Sequence, residues 1–91
     1  MFSGLVSGKA RIQRLEQEGK TIVLTVKTVP EKLAGVKIGD SIAVNGCCLT
    51  VETFSEDSFT VTMMPQTFDK TTFKNLQAGD QVNMERSVPV G

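Results

Sequence analysis

The block Asn45-Gly46-Cys47-Cys48-Leu49-Thr50-Val51-Glu52 gathers the groups that could act on a small molecule: two thiols, a hydroxyl and a carboxylate behind an Asn-Gly turn signal. On an extended strand successive side chains point to opposite faces. Leu49 and Val51 therefore share an apolar face with Cys47, and Cys48, Thr50 and Glu52 occupy the other. The segment 58–64 sorts the same way, with Phe59, Val61 and Met63 on one parity and Ser58, Thr60, Thr62 and Met64 on the other. If Glu56-Asp57 turns these two segments into a hairpin, Cys48, Thr50, Thr62 and Met64 form one patch. Hydroxyls beside a soft apolar surface suit a flat heteroaromatic ring with a polar edge. The same spacing equally fits a solvent-facing Thr stripe, the commoner use of such a face, and nothing basic adjoins Cys48 in sequence to activate its thiol.

Other chemistries have little to work with. The chain contains no His, which removes the usual imidazole base, and its only two cysteines are neighbours without the separated spacing of a zinc site, so no metal site is expected. Adjacent cysteines cannot close a long loop, which favours a reducing compartment. Ten Lys and Arg balance ten Asp and Glu, leaving no net positive field for phosphates, and nucleic acid is not expected as a partner. No apolar run approaches the roughly 20 residues needed to cross a bilayer, and no basic segment followed by an apolar stretch opens the chain, so no membrane partner is expected and the location reads as cytoplasmic.

The elements that must position the block are strands. Two-residue alternation recurs in Val6, Gly8, Ala10 and Ile12, in Ile22, Leu24 and Val26, and in the two segments above, punctuated by Glu18-Gly19, Gly39-Asp40, Asn45-Gly46, Glu56-Asp57 and Gly79-Asp80. The pattern predicts about six strands, near 4–16, 20–28, 41–45, 47–54, 58–64 and 81–86, in a small sandwich or barrel. Pro30 stands where a short helix would begin, with Gly35 as its stop, and 65–75 has room for another turn of helix. Both would cap barrel ends. At 91 residues, 40% apolar and 22% charged, the chain is expected to be a single domain over 1–91. Leu33 to Ile42 echoes Leu76 to Val82 in a Gly-Asp entry to a strand, for which common turn chemistry is sufficient explanation.

Three motifs in order, Met1-Phe2-Ser3-Gly4-Leu5-Val6, Val44-Asn45-Gly46-Cys47-Cys48-Leu49-Thr50-Val51 and Gly79-Asp80-Gln81-Val82-Asn83-Met84-Glu85-Arg86, resemble the first half of riboflavin synthase. The resemblance implies an all-β fold, a six-stranded antiparallel Greek-key β-barrel with short capping helices, forming the amino-terminal half of a two-barrel chain. In that family each barrel binds one 6,7-dimethyl-8-ribityllumazine. Two lumazines, on the amino-terminal barrel of one chain and the carboxy-terminal barrel of a neighbour, exchange a four-carbon unit to give riboflavin and a pyrimidinedione, with no metal or redox cofactor required.

Carried over by position, the resemblance implies ligand contacts at Gly4, Leu5 and Val6, at Cys47, Cys48 and Leu49, and along Thr62, Met63, Met64, Pro65, Gln66 and Thr67, with Phe2, Ser3, Ser41 and Thr50 close by. Ser41, Cys48 and Thr50 are the expected catalytic groups, positioning water or polarising ring atoms while the substrate supplies the acidity of its C7 methyl. Gln66-Thr67-Phe68 stands where the family usually has Glu-Thr-Leu, so ligand preference could differ. The partners implied are a lumazine or riboflavin and a second lumazine-binding barrel, from a neighbouring chain or by self-dimerisation. Two alternatives stay open: a non-catalytic lumazine- or flavin-carrying protein of the same superfamily, and an oligosaccharide- or oligonucleotide-binding barrel. The absence of Trp, Tyr and net charge argues against the second alternative.

Overall fold

The alternating runs are strands in the computed structural model, which describes the backbone of residues 2–70 and 72–89 and the side chains of residues 8–70 and 73–86. They are β1 (Phe2–Glu18), β2 (Thr21–Lys27), β3 (Ser41–Val44), β4 (Cys47–Phe54), β5 (Ser58–Met63) and β6 (Gln81–Pro89). The strands pair in the order β1-β2-β5-β4-β3-β6 and close into a barrel, with every pairing antiparallel. β3, β4 and β5 follow one another through tight turns, and β2 lies beside β5 at the end of a longer connection. That is a Greek key.

The barrel is filled by one parity of each strand. Leu24 and Val26 of β2, Ile42 and Val44 of β3, Phe59 and Val61 of β5 and Met84 of β6 are fully buried, joined by Ala10 and Ile12 of β1 and Leu49 and Val51 of β4. Closure explains why a chain this short can be stable without disulfides: the six strands leave no sheet edge running the length of the molecule and surround one continuous core.

The two ends are plugged differently. From β2 to β3 the chain makes a 3-10 turn (Pro30–Leu33) with Pro at its start, burying Leu33 and then Val36. From β5 to β6 it forms helix α1 (Pro65–Lys70) and a 3-10 turn (Thr72–Asn75), burying Phe73. Both connections were expected as short caps, and each covers its own end. The two Gly-Asp turns that follow them have the same hydrogen bonding: Asp40 Oδ2 accepts from Lys37 N at 2.9 Å and Asp80 Oδ2 from Gln77 N at 3.0 Å. The sequence echo is thus shared turn chemistry.

β1 and β6 run beyond their expected limits, to Phe2 and Glu18 and to Pro89. The backbone ladder decides this. Gln17 and Glu18 are paired with Ile22 and Thr21, and the far ends of β1 and β6 pair with each other from Gly4↔Val88 to Arg11↔Gln81, irrespective of side-chain pattern.

Candidate functional site

β4 presents its residues as parity requires. Leu49 and Val51 point inward, Cys48, Thr50 and Glu52 are exposed, and Cys47 is half-buried against the core. The turn that launches β4 is built for its role: Asn45 (φ 50) and Gly46 (φ 83) take the left-handed region that a two-residue hairpin needs. Asn45 also ties the turn to β6, since its N–H donates to Asn83 O and its Oδ1 accepts from Asn83 N, both at 2.8 Å. Burial, and after it the neighbouring Cys48 thiol, pushes the Cys47 thiol pKa above its ordinary value, so Cys47 is a poor thiolate.

On the outer face Ser41 stands directly opposite Thr50 across the β3–β4 ladder, and Ala43 opposite Cys48. The three expected catalytic groups therefore share one exposed patch. On β5, Phe59, Val61 and Met63 are buried, while Thr60 and Thr62 are half-buried on the outer face and Met64 is exposed. Leu49 and Met63, both expected ligand contacts, turn their side chains into the core and offer only backbone to an outer ligand. Pro65 and Thr67 are half-buried and Gln66 exposed in α1, immediately after β5.

The wall between β4 and β5 has a seam. Their ladder runs from Phe54↔Phe59 to Val51↔Val61 and stops, although β3 follows β4 on its other side to Val44↔Cys47 and β2 follows β5 to Ile22↔Met63. Residues 47–50 and 62–63 are thus paired on their far sides only. Facing strand edges without a ladder leave backbone donors and acceptors able to bind something else. At the seam's closed end the β4–β5 register slips between Val51 and Thr53, a bulge that brings both Glu52 and Thr53 to the exposed side. There Thr62 Oγ1 donates to Glu52 Oε1 at 2.9 Å. Around the seam's open end lies a cleft of about 560 Å³, walled by Asn45, Gly46 and Cys47 on one side and by Asp69, Lys70, Phe73 and Lys74 on the other.

The structure brings the segments 47–50 and 62–67 together around this seam and cleft, but not the start of β1. Leu5 pairs with Ser87 and Ser7 with Glu85, while Glu85 pairs with Ala43 and Ala43 with Cys48. β6 and β3 thus stand between β1 and β4, a separation of about 14 Å at ordinary strand spacing. Phe2, Ser3, Gly4, Leu5 and Val6 are placed here by backbone pairing alone, and their side chains lie outside the described residues. Sequence reasoning missed the cleft residues Asp69, Lys70, Phe73 and Lys74, which no periodicity marks. It set Glu52 on the polar face without the partner that the bulge supplies.

Among the described residues no cluster of three or more His, Cys, Asp or Glu could hold a metal ion, and no helix is long and apolar enough to cross a membrane. A closed Greek-key barrel with a polar outer stripe beside an open seam defines a small-ligand-binding β-barrel. A family model for the lumazine binding domain matches residues 3–87, and the chain belongs to that family. It is similar to riboflavin synthase of Bacillus amyloliquefaciens, 42% identical over 88 residues covering 97% of this chain and 40% of that protein. It is also similar to riboflavin synthase of Saccharomyces cerevisiae, 36% identical over 94 residues covering 97% of this chain and 40% of that protein. The chain spans about 40% of the length of these relatives. Among solved structures, LumP complexed with 6,7-dimethyl-8-(1'-D-ribityl) lumazine aligns with a TM-score of 0.79 and 32% identity, over 94% of this chain and 48% of that one. LumP complexed with riboflavin aligns equally, with a TM-score of 0.79 and 32% identity over 94% of this chain and 46% of that one.

Proposed function

We propose that this chain is the amino-terminal lumazine-binding barrel of a riboflavin synthase. It holds one 6,7-dimethyl-8-ribityllumazine or riboflavin on the outer face beside the β4–β5 seam, and supplies half of the site where two lumazines exchange a four-carbon unit. The observation that carries this is the match of 97% of the chain to riboflavin synthases from bacteria and yeast at 36–42% identity, which favours the enzyme over a ligand-carrying protein of the same superfamily. The LumP complexes with lumazine and riboflavin support the ligand class.

In this reading Ser41, Cys48 and Thr50 face the ring, and Thr62, Met64, Pro65, Gln66 and Thr67 border it, with Leu49 and Met63 contributing backbone. Gly4, Leu5 and Val6, with Phe2 and Ser3 beside them, would meet a ligand only at their own place in the wall, three strands from β4. The reaction draws on the acidity of the substrate's C7 methyl and on face-to-face packing of two rings as near-attack partners, so the protein's share is positioning. The second ring belongs to another lumazine-binding barrel, the carboxy-terminal one of a neighbouring chain or a second copy of this one. The enzyme works in the cytoplasm, and no metal or redox cofactor enters the reaction as proposed.

Titration of the chain with 6,7-dimethyl-8-ribityllumazine and with riboflavin, read by ligand fluorescence, tests the reading when riboflavin formed from lumazine is assayed in the same samples. Saturable binding with negligible product is expected for the single barrel, and product on adding a carboxy-terminal barrel. Absence of binding by either ligand would overturn the site.

A further inference from the structure

The bulge at the closed end of the seam does more than bend β4. In an unbroken ladder, residues after Val51 would continue to alternate, but here Glu52 and Thr53 both face outward. Thr53 pairs with Thr60, its N–H donating to Thr60 Oγ1 at 3.1 Å, and Glu52 is left to reach across to Thr62. Thr62 is held on its other side by pairing with Val23 of β2, so its position in the wall is fixed. The exposed side chains of 47–50 and those of 62–64 include no other carboxylate.

A threonine hydroxyl has one proton to give and two lone pairs to offer, and without a strong partner it adapts to either use. A carboxylate accepts only, and its hydrogen bond is roughly twice as strong as a neutral one. With its proton directed to Glu52, the Thr62 oxygen has only acceptor capacity left for anything that enters the seam.

Building on the proposed lumazine site, we infer that Glu52 is a positioning residue for ligand binding: it fixes the Thr62 hydroxyl as an acceptor, so that this part of the face reads a hydrogen-bond donor of the ligand. A ribityl-bearing heteroaromatic offers two such donors, a ring N–H and the ribityl hydroxyls. A ligand group able only to accept is disfavoured at the same place.

The test is a double-mutant cycle on riboflavin affinity with Glu52→Ala, Thr62→Val and the pair, together with Glu52→Gln, whose amide oxygen still accepts. Thermal melting confirms that each variant is folded. Glu52→Ala and Thr62→Val are each expected to weaken binding about three- to tenfold, the range of one net hydrogen bond. The pair should be no worse than either alone, and Glu52→Gln should recover most of the loss. Repeating the cycle with lumiflavin, which keeps the ring N–H and lacks the ribityl chain, identifies the donor. A loss that persists assigns it to the ring, and one that vanishes assigns it to the ribityl chain. Glu52→Ala without effect beside a clear loss in Thr62→Val, or losses that simply add, would overturn the positioning role. Binding unmoved by both Thr62→Val and Thr50→Val would instead remove the outer face as the ligand site.

Discussion

Arg86, on β6, lies inside the barrel wall with its Nη1 2.9 Å from the carbonyl oxygen of Ala34, and the same nitrogen donates to Lys32 O at 3.2 Å. The parity that buries Val82 and Met84 carries Arg86 to the barrel end, where the chain between β2 and β3 presents the carbonyls of Lys32 and Ala34. One guanidinium thus fastens the cap to the wall.

Arg86→Ala should remove both bonds, lowering stability by about 2–4 kcal/mol. The check is urea unfolding followed by circular dichroism. Arg86→Lys should recover part of the loss at most, because its ammonium ends one bond short of the Nη1 position that reaches both carbonyls.

Gly46→Ala should cost about 1–2 kcal/mol through backbone strain alone, since φ is 83 and no atom lies within 4 Å of the added methyl. At Gly8 the situation reverses. A methyl there would come within 2.4 Å of Lys32 Nζ and 2.6 Å of its Cε, the far end of a flexible side chain, which can swing aside. Thermal melts of the two variants should separate clearly, with Gly8→Ala close to the parent chain.

The raised pKa of Cys47 sets a dependence on alkaline pH. The native state favours the protonated thiol, so its contribution to stability is complete below the pKa of an unfolded cysteine and is lost as pH rises through the folded value. Unfolding midpoints measured from neutral pH upward should therefore fall more steeply for the parent chain than for Cys47→Ala. Iodoacetamide mapping at neutral pH should label exposed Cys48 first.

In a complete two-barrel enzyme, Cys48→Ser should slow riboflavin formation while leaving the melting temperature nearly unchanged, because Cys48 is exposed and packs in no core. Unchanged kinetics would remove Cys48 from the proposed mechanism. Thr50→Val should act mainly on affinity, seen as a raised KM or Kd with kcat little altered.

The strands were legible because alternation is strictest where the core is tightest: β4 begins and ends at its expected residues, and Leu49, Val51, Phe59, Val61 and Met63 all face inward as their spacing requires. Features that depend on a partner strand were not. The bulge at Glu52 exists only relative to β5, and the end of the β4–β5 ladder at Val51↔Val61 leaves no trace in composition. Buried Arg86 was hidden for a related reason, since its Nη1 donates to carbonyls more than fifty residues away in sequence, which no local pattern announces. In the candidate site, parity grouped Cys48 with Thr50, and pairing with β3 then added Ser41.

Closure of the barrel by β1 against β6 also dictates when the protein can fold. Arg11 finds its partner in Gln81 and Gly4 in Val88, so a ribosome must release almost the entire barrel before its first strand can be zipped in. Until then only the second half of β1, from Arg11 to Glu18, has its partner in β2, and the first half is an unpaired edge in need of protection from aggregation during synthesis.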